Sequence, residues 1–355
     1  MSVSRFLIVL ISLMLPLTAH AQGFAGLGTS GDGYASVEQK TVLTFPQDHS
    51  AHPDFRIEWW YVTANLTDAA GNAYGIQWTL FRQAFAPPPQ RDNWQNQQMW
   101  LGHAALTSKT QHFSAETLAR GLTGQAGVSA APFSAWIDDW HLSSTARPGF
   151  SHMAMAARGD DFAYTLDLQT KSPLVLHGVD GFSRKSELGQ ASHYYSQPFY
   201  EVSGEIEMNG KAVEVTGQAW LDREWSSQPL AASQTGWDWF SLHLDGGDKL
   251  MLFRLRDDAG NDYFSGTWID DDGKPTPLGP DDIRFTPQNL RRVAGRDLPT
   301  EWLLEVPSKQ LRVTTRALNE QSWMETSIPY WEGAVSVSGS HTGVGFLEMT
   351  GYVEK

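Results

Sequence analysis

The sequence predicts an all-β protein of two related barrel or sandwich domains, and three observations carry the prediction. Short runs of alternating apolar and polar residues follow one another with turn signals between them. No segment sustains a helical stripe beyond about a dozen residues, the length at which helix becomes the safer reading. An aromatic-rich strand followed by a turn and a strand ending Leu-Phe-Arg occurs once in each half. Period-two alternation marks half-buried strands, and many short strands with frequent turns imply a sandwich or a barrel.

Taken in order, residues 1–21 form an export segment. Arg5 precedes the apolar run Phe6–Pro16, and Ala19-His20-Ala21 is a small-x-small cleavage site. The run is too short for a membrane span, which needs about 20 apolar residues, and fits a cleaved secretory signal. Residues 22–45 are rich in Gly, Ser and Ala and read as a flexible arm. The run Arg56–Val62 and the run Tyr74–Phe81 flank the turn Asp68–Asn72 and form a hairpin. Phe162–Leu168 and Val213–Trp220 alternate cleanly, and Asn209-Gly210, Asp245–Asp248, Asp258–Asn261 and Asp271–Lys274 are turns. Gln111–Arg120 and Asn289–Val293 could hold short helices. The repeat pairs Trp59-Trp60-Tyr61 and Leu80-Phe81-Arg82 with Trp237-Asp238-Trp239-Phe240 and Leu252-Phe253-Arg254. It suggests domains at 46–205 and 206–355.

Composition narrows the function. The formal charge of −14 argues against nucleic acid as a partner. There is no cysteine, so cysteine chemistry and disulfides are absent. No later stretch reaches the roughly 18 apolar residues of a transmembrane helix. Fifteen Trp, 17 Phe and 10 Tyr supply either a large aromatic core or the wall of an apolar pocket. Nucleophile-elbow, phosphate-loop, dinucleotide and His-Glu-x-x-His signatures do not occur. His243 and Asp245 could share a strand face, but two ligands do not make a zinc site, and neither metal nor cofactor is expected.

Three segments mix aromatic and ionisable groups. In Trp220–Ser227, alternation places Trp220, Asp222 and Glu224 on one face, with Arg223 adjacent. Two carboxyls beside tryptophans could hold one acid protonated and one ionised; the alternative is a solvent-facing strand with an ion pair. In Arg56–Tyr61, Arg56, Glu58 and Trp60 share one face and Ile57, Trp59 and Tyr61 the other. A strand with large groups on both faces must meet a core on one side and a second layer, a ligand or another domain on the other. In Trp237–His243, Trp237, Trp239, Ser241 and His243 line one face, as a cavity wall or a packed core. His193 and Tyr194 lie in a polar aromatic patch, Ser192–Ser196, at a domain junction or on a surface loop.

Together these segments resemble the carotenoid 1,2-hydratase (hydroxyneurosporene synthase) family in its exported, lipocalin-like branch. The resemblance rests on Glu58–Tyr61, Gly217–Ser227, Trp237–Phe240, Tyr330–Gly339 and Gly345–Tyr352. It implies two lipocalin-like (calycin) β-barrel domains packed together and cofactor-free addition of water to a terminal C=C. Such chemistry needs a strong acid, aromatic faces for a carbocation and a base for the incoming water. The resemblance assigns these roles to Asp222, Trp225 and Glu224. Glu58, Trp60, Trp220, Arg223, Trp237, Trp239, His243, His193 and Tyr194 are then ligand-binding candidates. The sequence departs from the hydratases at Arg223 and Glu224, where they carry His-Asn, and at Phe253–Arg256, where their Tyr-x-Asp acid is missing. Two functions stay open: hydration of a polyene, isoprenoid or lipid, and carriage of such a ligand without chemistry, in the periplasm or outside the cell, with a membrane export system as a candidate partner.

Overall fold

The structure, a computed structural model, describes residues 24–89, 95–145 and 149–354. The export segment expected at 1–21 lies outside the described residues. Among those residues the first sheet holds β1 (Ile57–Asp68), β2 (Ala73–Ala84), β3 (Gln98–Ser108), β4 (His112–Arg120), β5 (Ala126–Ala130), β6 (Phe133–Ile137), β7 (Trp140–Ser144), β8 (His152–Arg158), β9 (Phe162–Gln169), β10 (Val175–Leu176), β11 (Phe182–Arg184), β12 (Ala191–Met208) and β13 (Lys211–Ser226). Its order is β4-β3-β2-β1-β13-β12-β9-β8-β7-β6-β5, and it curls into a nearly closed barrel. Then follow β14 (Gln234–Leu244), β15 (Lys249–Asp257), β16 (Tyr263–Ile269), β17 (Pro275–Leu278), β18 (Arg284–Pro287), a ribbon of β19 (Leu290–Val293) and β20 (Arg296–Pro299), β21 (Glu301–Val306), β22 (Leu311–Ala317), β23 (Trp323–Met324), β24 (Tyr330–Gly339) and β25 (Gly343–Met349). The second sheet runs β17-β16-β15-β14-β25-β24-β22-β21-β18 and curls into a half-barrel. Both units are lipocalin-like.

Alternation decides what each strand buries. From β1, Trp60, Val62, Ala64 and Leu66 point into the first barrel with Trp78 and Leu80 of β2. The second core collects Phe240, Leu252, Trp302, Trp331 and Leu347. A third cluster lies between the sheets, where Ile57, Tyr61, Tyr194 and Trp220 meet Trp239, Phe253, Ala334 and Phe346. The two faces inferred for β1 are therefore a barrel interior and an inter-sheet layer. Gly75 is needed at this contact, because a Cβ there would stand 2.8 Å from the Ala334 Cβ.

The internal repeat has a structural basis. In β1 and β2, Glu58 sits opposite Arg82 and pairs with it; in β14 and β15, Asp238 sits opposite Arg254 and pairs with it at 2.7 Å. Each Leu-Phe-Arg thus ends on an arginine that neutralises a buried acid of the preceding strand.

Three expectations need correction. The boundary expected at 205/206 falls inside β12, and the chain changes sheets between Ser226 and Gln234. The long β12–β13 hairpin belongs to the first barrel, because β13 pairs with β1 from Val215 to Ser226. The described part of the arm at 22–45 is docked: Arg56 donates to the Gly26 and Leu27 carbonyls at 3.0 and 2.9 Å, and Ser227 to Ala35 at 2.6 Å. Its partners lie in the body of the protein, so it carries no periodicity of its own. The helices considered at Gln111–Arg120 and Asn289–Val293 are the strands β4 and β19; β4 is half-buried on both faces, which removes the alternation.

Candidate active site between the two sheets

A partly open cavity of about 150 Å³ lies in the inter-sheet layer. Trp59 and Tyr61 of β1, Trp237 and Trp239 of β14 and Phe253 of β15 wall it, and Ala25 and Leu27 of the docked N-terminal segment close one side. Asp222, Glu224, Lys185, Tyr194 and Glu348 also line it.

Asp222 leaves β13 on the face predicted for it. Its Oδ1 accepts from the Trp220 indole at 2.7 Å and from Ser196, and its Oδ2 accepts from the Tyr194 hydroxyl at 2.9 Å. Tyr194 in turn accepts from the Trp239 indole at 3.3 Å. Burial pushes the Asp222 carboxyl up to about 7 against these three donors, and the Glu224 charge adds to the rise. Behind Ser196 stands His177, with Nε2 at 2.6 Å from Ser196 Oγ and Nδ1 at 2.8 Å from Thr267 Oγ1. Burial and then the Lys185 charge lower His177 to about 3, so the ring is neutral. Because Ser196 donates to Asp222, the hydrogen-bond network assigns the His177 proton to Nε2. Glu224 pairs with Lys185 at 2.8 Å, and the Lys185 ammonium rests over the Tyr194 and Phe253 rings at 4.8 and 4.4 Å.

The second sheet contributes its own acids. Glu348 of β25 accepts from the Trp237 indole at 2.6 Å. Burial lifts it to about 7; Trp237 opposes this, and the charges of Asp222 and Glu224 across the cavity reinforce it. Deeper, Glu332 of β24 accepts from the Tyr61 hydroxyl, and burial followed by the Glu348 charge holds it well above the usual carboxylate range. An apolar cavity thus receives Asp222 from one sheet and Glu348 from the other, both pushed up to about 7 by desolvation. Groups in that condition can give up a proton at ordinary pH.

The remaining candidates divide by the parity of their positions. Trp220, Tyr194, Trp237 and Trp239 join Asp222 and Glu224 in the inter-sheet layer. His243 packs edge-on against Trp220 at 5.9 Å, behind the cavity, and burial lowers it to about 3. Glu58, Trp60, Arg223, Trp225 and His193 point the other way, into the first barrel. Arg223 lies over Trp60 at 3.9 Å, His52 stacks on Trp225 at 4.1 Å, and His193 is 5.2 Å from Trp225. Burial opposes the charge on Glu58, but Arg82 and Arg223 outweigh it and hold the carboxyl well below the usual range. Trp225 therefore cannot flank Asp222: three residues along a strand put it on the opposite face. Trp59, Trp237 and Trp239 supply the aromatic faces at the cavity instead. Among the described residues, no three His, Asp or Glu side chains converge as metal ligands.

Glu348, Glu332, Lys185, His103 and Tyr330 were missed as site residues. The signal for Glu348 is an acid inside the otherwise apolar Gly345–Met349, on the face of Phe346. Nothing local marks His103, whose partner Tyr330 is 227 positions away.

The structure is similar to solved structures. An AttH protein from Nitrosomonas europaea superposes with a TM-score of 0.79 at 34% identity over 90% of this chain and 100% of that one. Kievitone hydratase from Nectria haematococca gives 0.68 at 14% identity over 91% and 97%, and CghA, solved with Sch210972, gives 0.57 at 11% over 91% and 97%. These last two share the fold. Among curated proteins none matches. The sequence model of the AttH-like family matches residues 36–352, nearly the whole described chain, and the chain belongs to that family.

Proposed function

We propose that the protein is a cofactor-independent hydro-lyase that adds water across a carbon–carbon double bond of an apolar substrate, or removes it. The observation that carries this reading is the placement of Asp222 and Glu348, from different sheets, in one apolar cavity walled by tryptophan. Asp222 gives its proton to one alkene carbon. The cation left on the neighbouring carbon faces the Trp59 and Trp239 rings, whose quadrupoles attract it. Water adds to that carbon, and its proton passes to the ionised member of the carboxyl set, Glu348 or Glu224. The kinship of fold with kievitone hydratase supports this chemistry.

The cavity of about 150 Å³ is below the roughly 300–1,000 Å³ of pockets for drug-sized ligands. It suits a compact substrate, or the reacting end of an isoprenoid or lipid chain. The apolar run and cleavage site at 1–21 favour action in the periplasm or outside the cell.

A second reading is a carrier of an apolar ligand. It is favoured by the three donors on Asp222, which occupy both of its oxygens. Incubation of small alkenes and enones in ¹⁸O-water separates the two. The hydro-lyase incorporates ¹⁸O, and Asp222→Asn and Glu348→Gln still bind while turnover falls about 10²- to 10⁴-fold, the span of general acid–base catalysis. Binding by all three proteins with ¹⁸O in no product establishes the carrier.

A further inference from the structure

A hydrogen-bonded line runs from the second sheet to Asp222, and the hydration chemistry above uses only its last member. It starts at Thr267 of β16, whose Oγ1 lies 2.8 Å from His177 Nδ1. His177 Nε2 lies 2.6 Å from Ser196 Oγ, and Ser196 bonds to Asp222 Oδ1. None of the four residues is more than 3% exposed. His177 is held in place: its backbone N–H donates to the Tyr194 carbonyl at 3.1 Å, and its carbonyl accepts from Gly181 at 3.0 Å. Its ring lies 4.1 Å from the Tyr194 ring. Both ring nitrogens are thus committed, Nε2 to Ser196 and Nδ1 to Thr267. A neutral imidazole donates from one nitrogen and accepts at the other, so the two bonds must run in one direction along the line.

Asp222 decides that direction. As a carboxylate it accepts from Ser196, Trp220 and Tyr194, all neutral. As an acid it must donate to one of them. The Trp220 indole has no acceptor. The Tyr194 oxygen already accepts from Trp239 at 3.3 Å, so its own hydrogen needs Asp222 Oδ2. Ser196 alone can turn from donor to acceptor and still place its hydrogen, provided that Nε2 is bare. We propose that His177 is the positioning residue of Asp222, exchanging tautomers as Asp222 changes protonation. Beside the carboxylate, Thr267 donates to Nδ1, Nε2–H donates to Ser196, and Ser196 donates to Asp222. Beside the acid, Oδ1–H donates to Ser196, Ser196 donates to Nε2, and Nδ1–H donates to Thr267. The change takes up one proton: Oδ1–H and Nδ1–H form, Nε2–H is lost, and Ser196 keeps a single hydrogen. The Thr267 hydrogen turns away from the ring. Burial and the Lys185 charge keep the imidazole neutral throughout. The other titratable groups facing Asp222 are Glu224 from its own strand, Glu348 from β25 and Tyr194 from β12.

In turnover the exchange would return the Ser196 hydrogen to the carboxylate each time Asp222 gives up its proton, and that use rests on the hydro-lyase reading; the exchange itself does not. Its test needs no substrate. Nitrogen-15 spectra of the full chain show which ring nitrogen of His177 carries hydrogen, and carbon-13 spectra follow the Asp222 carboxyl. His177 is assigned by its loss in His177→Phe, or by its contact with the Tyr194 ring should that variant not fold. As pH falls through the Asp222 titration, at about 7, Nε2 loses its hydrogen and Nδ1 gains one, with the midpoint of the carboxyl carbon. In Asp222→Asn, whose oxygen always accepts from Ser196, Nε2 keeps its hydrogen at every pH, although Glu348 still titrates. In Ser196→Ala the His177 signals stay fixed while Asp222 titrates. One tautomer throughout the parent titration, an imidazolium with hydrogen on both nitrogens, or an exchange that survives in either Asp222→Asn or Ser196→Ala overturns the proposal. The exchange still stands if no alkene is ever hydrated.

Discussion

Replacing Asp222 with asparagine removes an acid whose ionisation the fold resists, so the gain should grow with pH. Asp222 is 3% exposed, and burial raises its carboxyl from 3.8 to about 7. The folded state holds this proton more tightly than the unfolded state. The stability associated with it is complete below about pH 4 and is lost as pH rises through about 7. Each tenfold in proton affinity is worth about 1.4 kcal/mol, so the full loss is about 4 kcal/mol. Asparagine keeps an oxygen for Trp220 and Ser196 and carries no charge. Its rearranged bond to Tyr194 costs about 1 kcal/mol at every pH. Urea unfolding between pH 4 and 8 should therefore show Asp222→Asn below the parent at acid pH and above it at pH 8, with the difference changing by about 4 kcal/mol. Parallel stability curves for the two proteins would refute the placement of a neutral acid at this site.

Other perturbations test the frame around the cavity. Glu58→Gln leaves Arg82 and Arg223 as buried, uncompensated cations and should cost roughly 3–5 kcal/mol in urea unfolding at pH 7; a cost below 1 kcal/mol would mean that solvent reaches them. Gly75→Ala drives a methyl against Ala334 and should cost roughly 1–3 kcal/mol by overpacking the contact between the sheets. An unchanged unfolding midpoint would place the sheets farther apart. Arg56→Ala frees the Gly26 and Leu27 carbonyls, so amide exchange at residues 26–31 should accelerate and bound apolar ligand should dissociate faster; exchange at the parent rate would show that another contact holds the segment.

Much of this was legible in the sequence, for a specific reason. Strand alternation is local, so the joint exposure of Trp220, Asp222 and Glu224 on one face, and of Ile57, Trp59 and Tyr61 on another, could be read without a fold. The same parity already separated Trp225 from Asp222, yet the motif's likeness to a known family drew them together. What alternation could not supply is which two faces meet. Asp222 and Glu348 come from different sheets, and His103 and Tyr330 are joined only when β3 and β24 approach. The docking of residues 24–45 was illegible because its bonds run from Arg56 and Ser227 to main-chain carbonyls, which leave no side-chain pattern.

The central claim is that apolar ligand binds between the sheets, beside Asp222 and Glu348. A crystal soaked with a small brominated alkene tests it directly through the anomalous signal of bromine. The account predicts one bromine site among Trp59, Trp239 and Phe253, with the alkene within reach of the Asp222 or Glu348 carboxyl. Bromine inside the first barrel beside Trp60 and Trp225, with the inter-sheet cavity vacant, would contradict it.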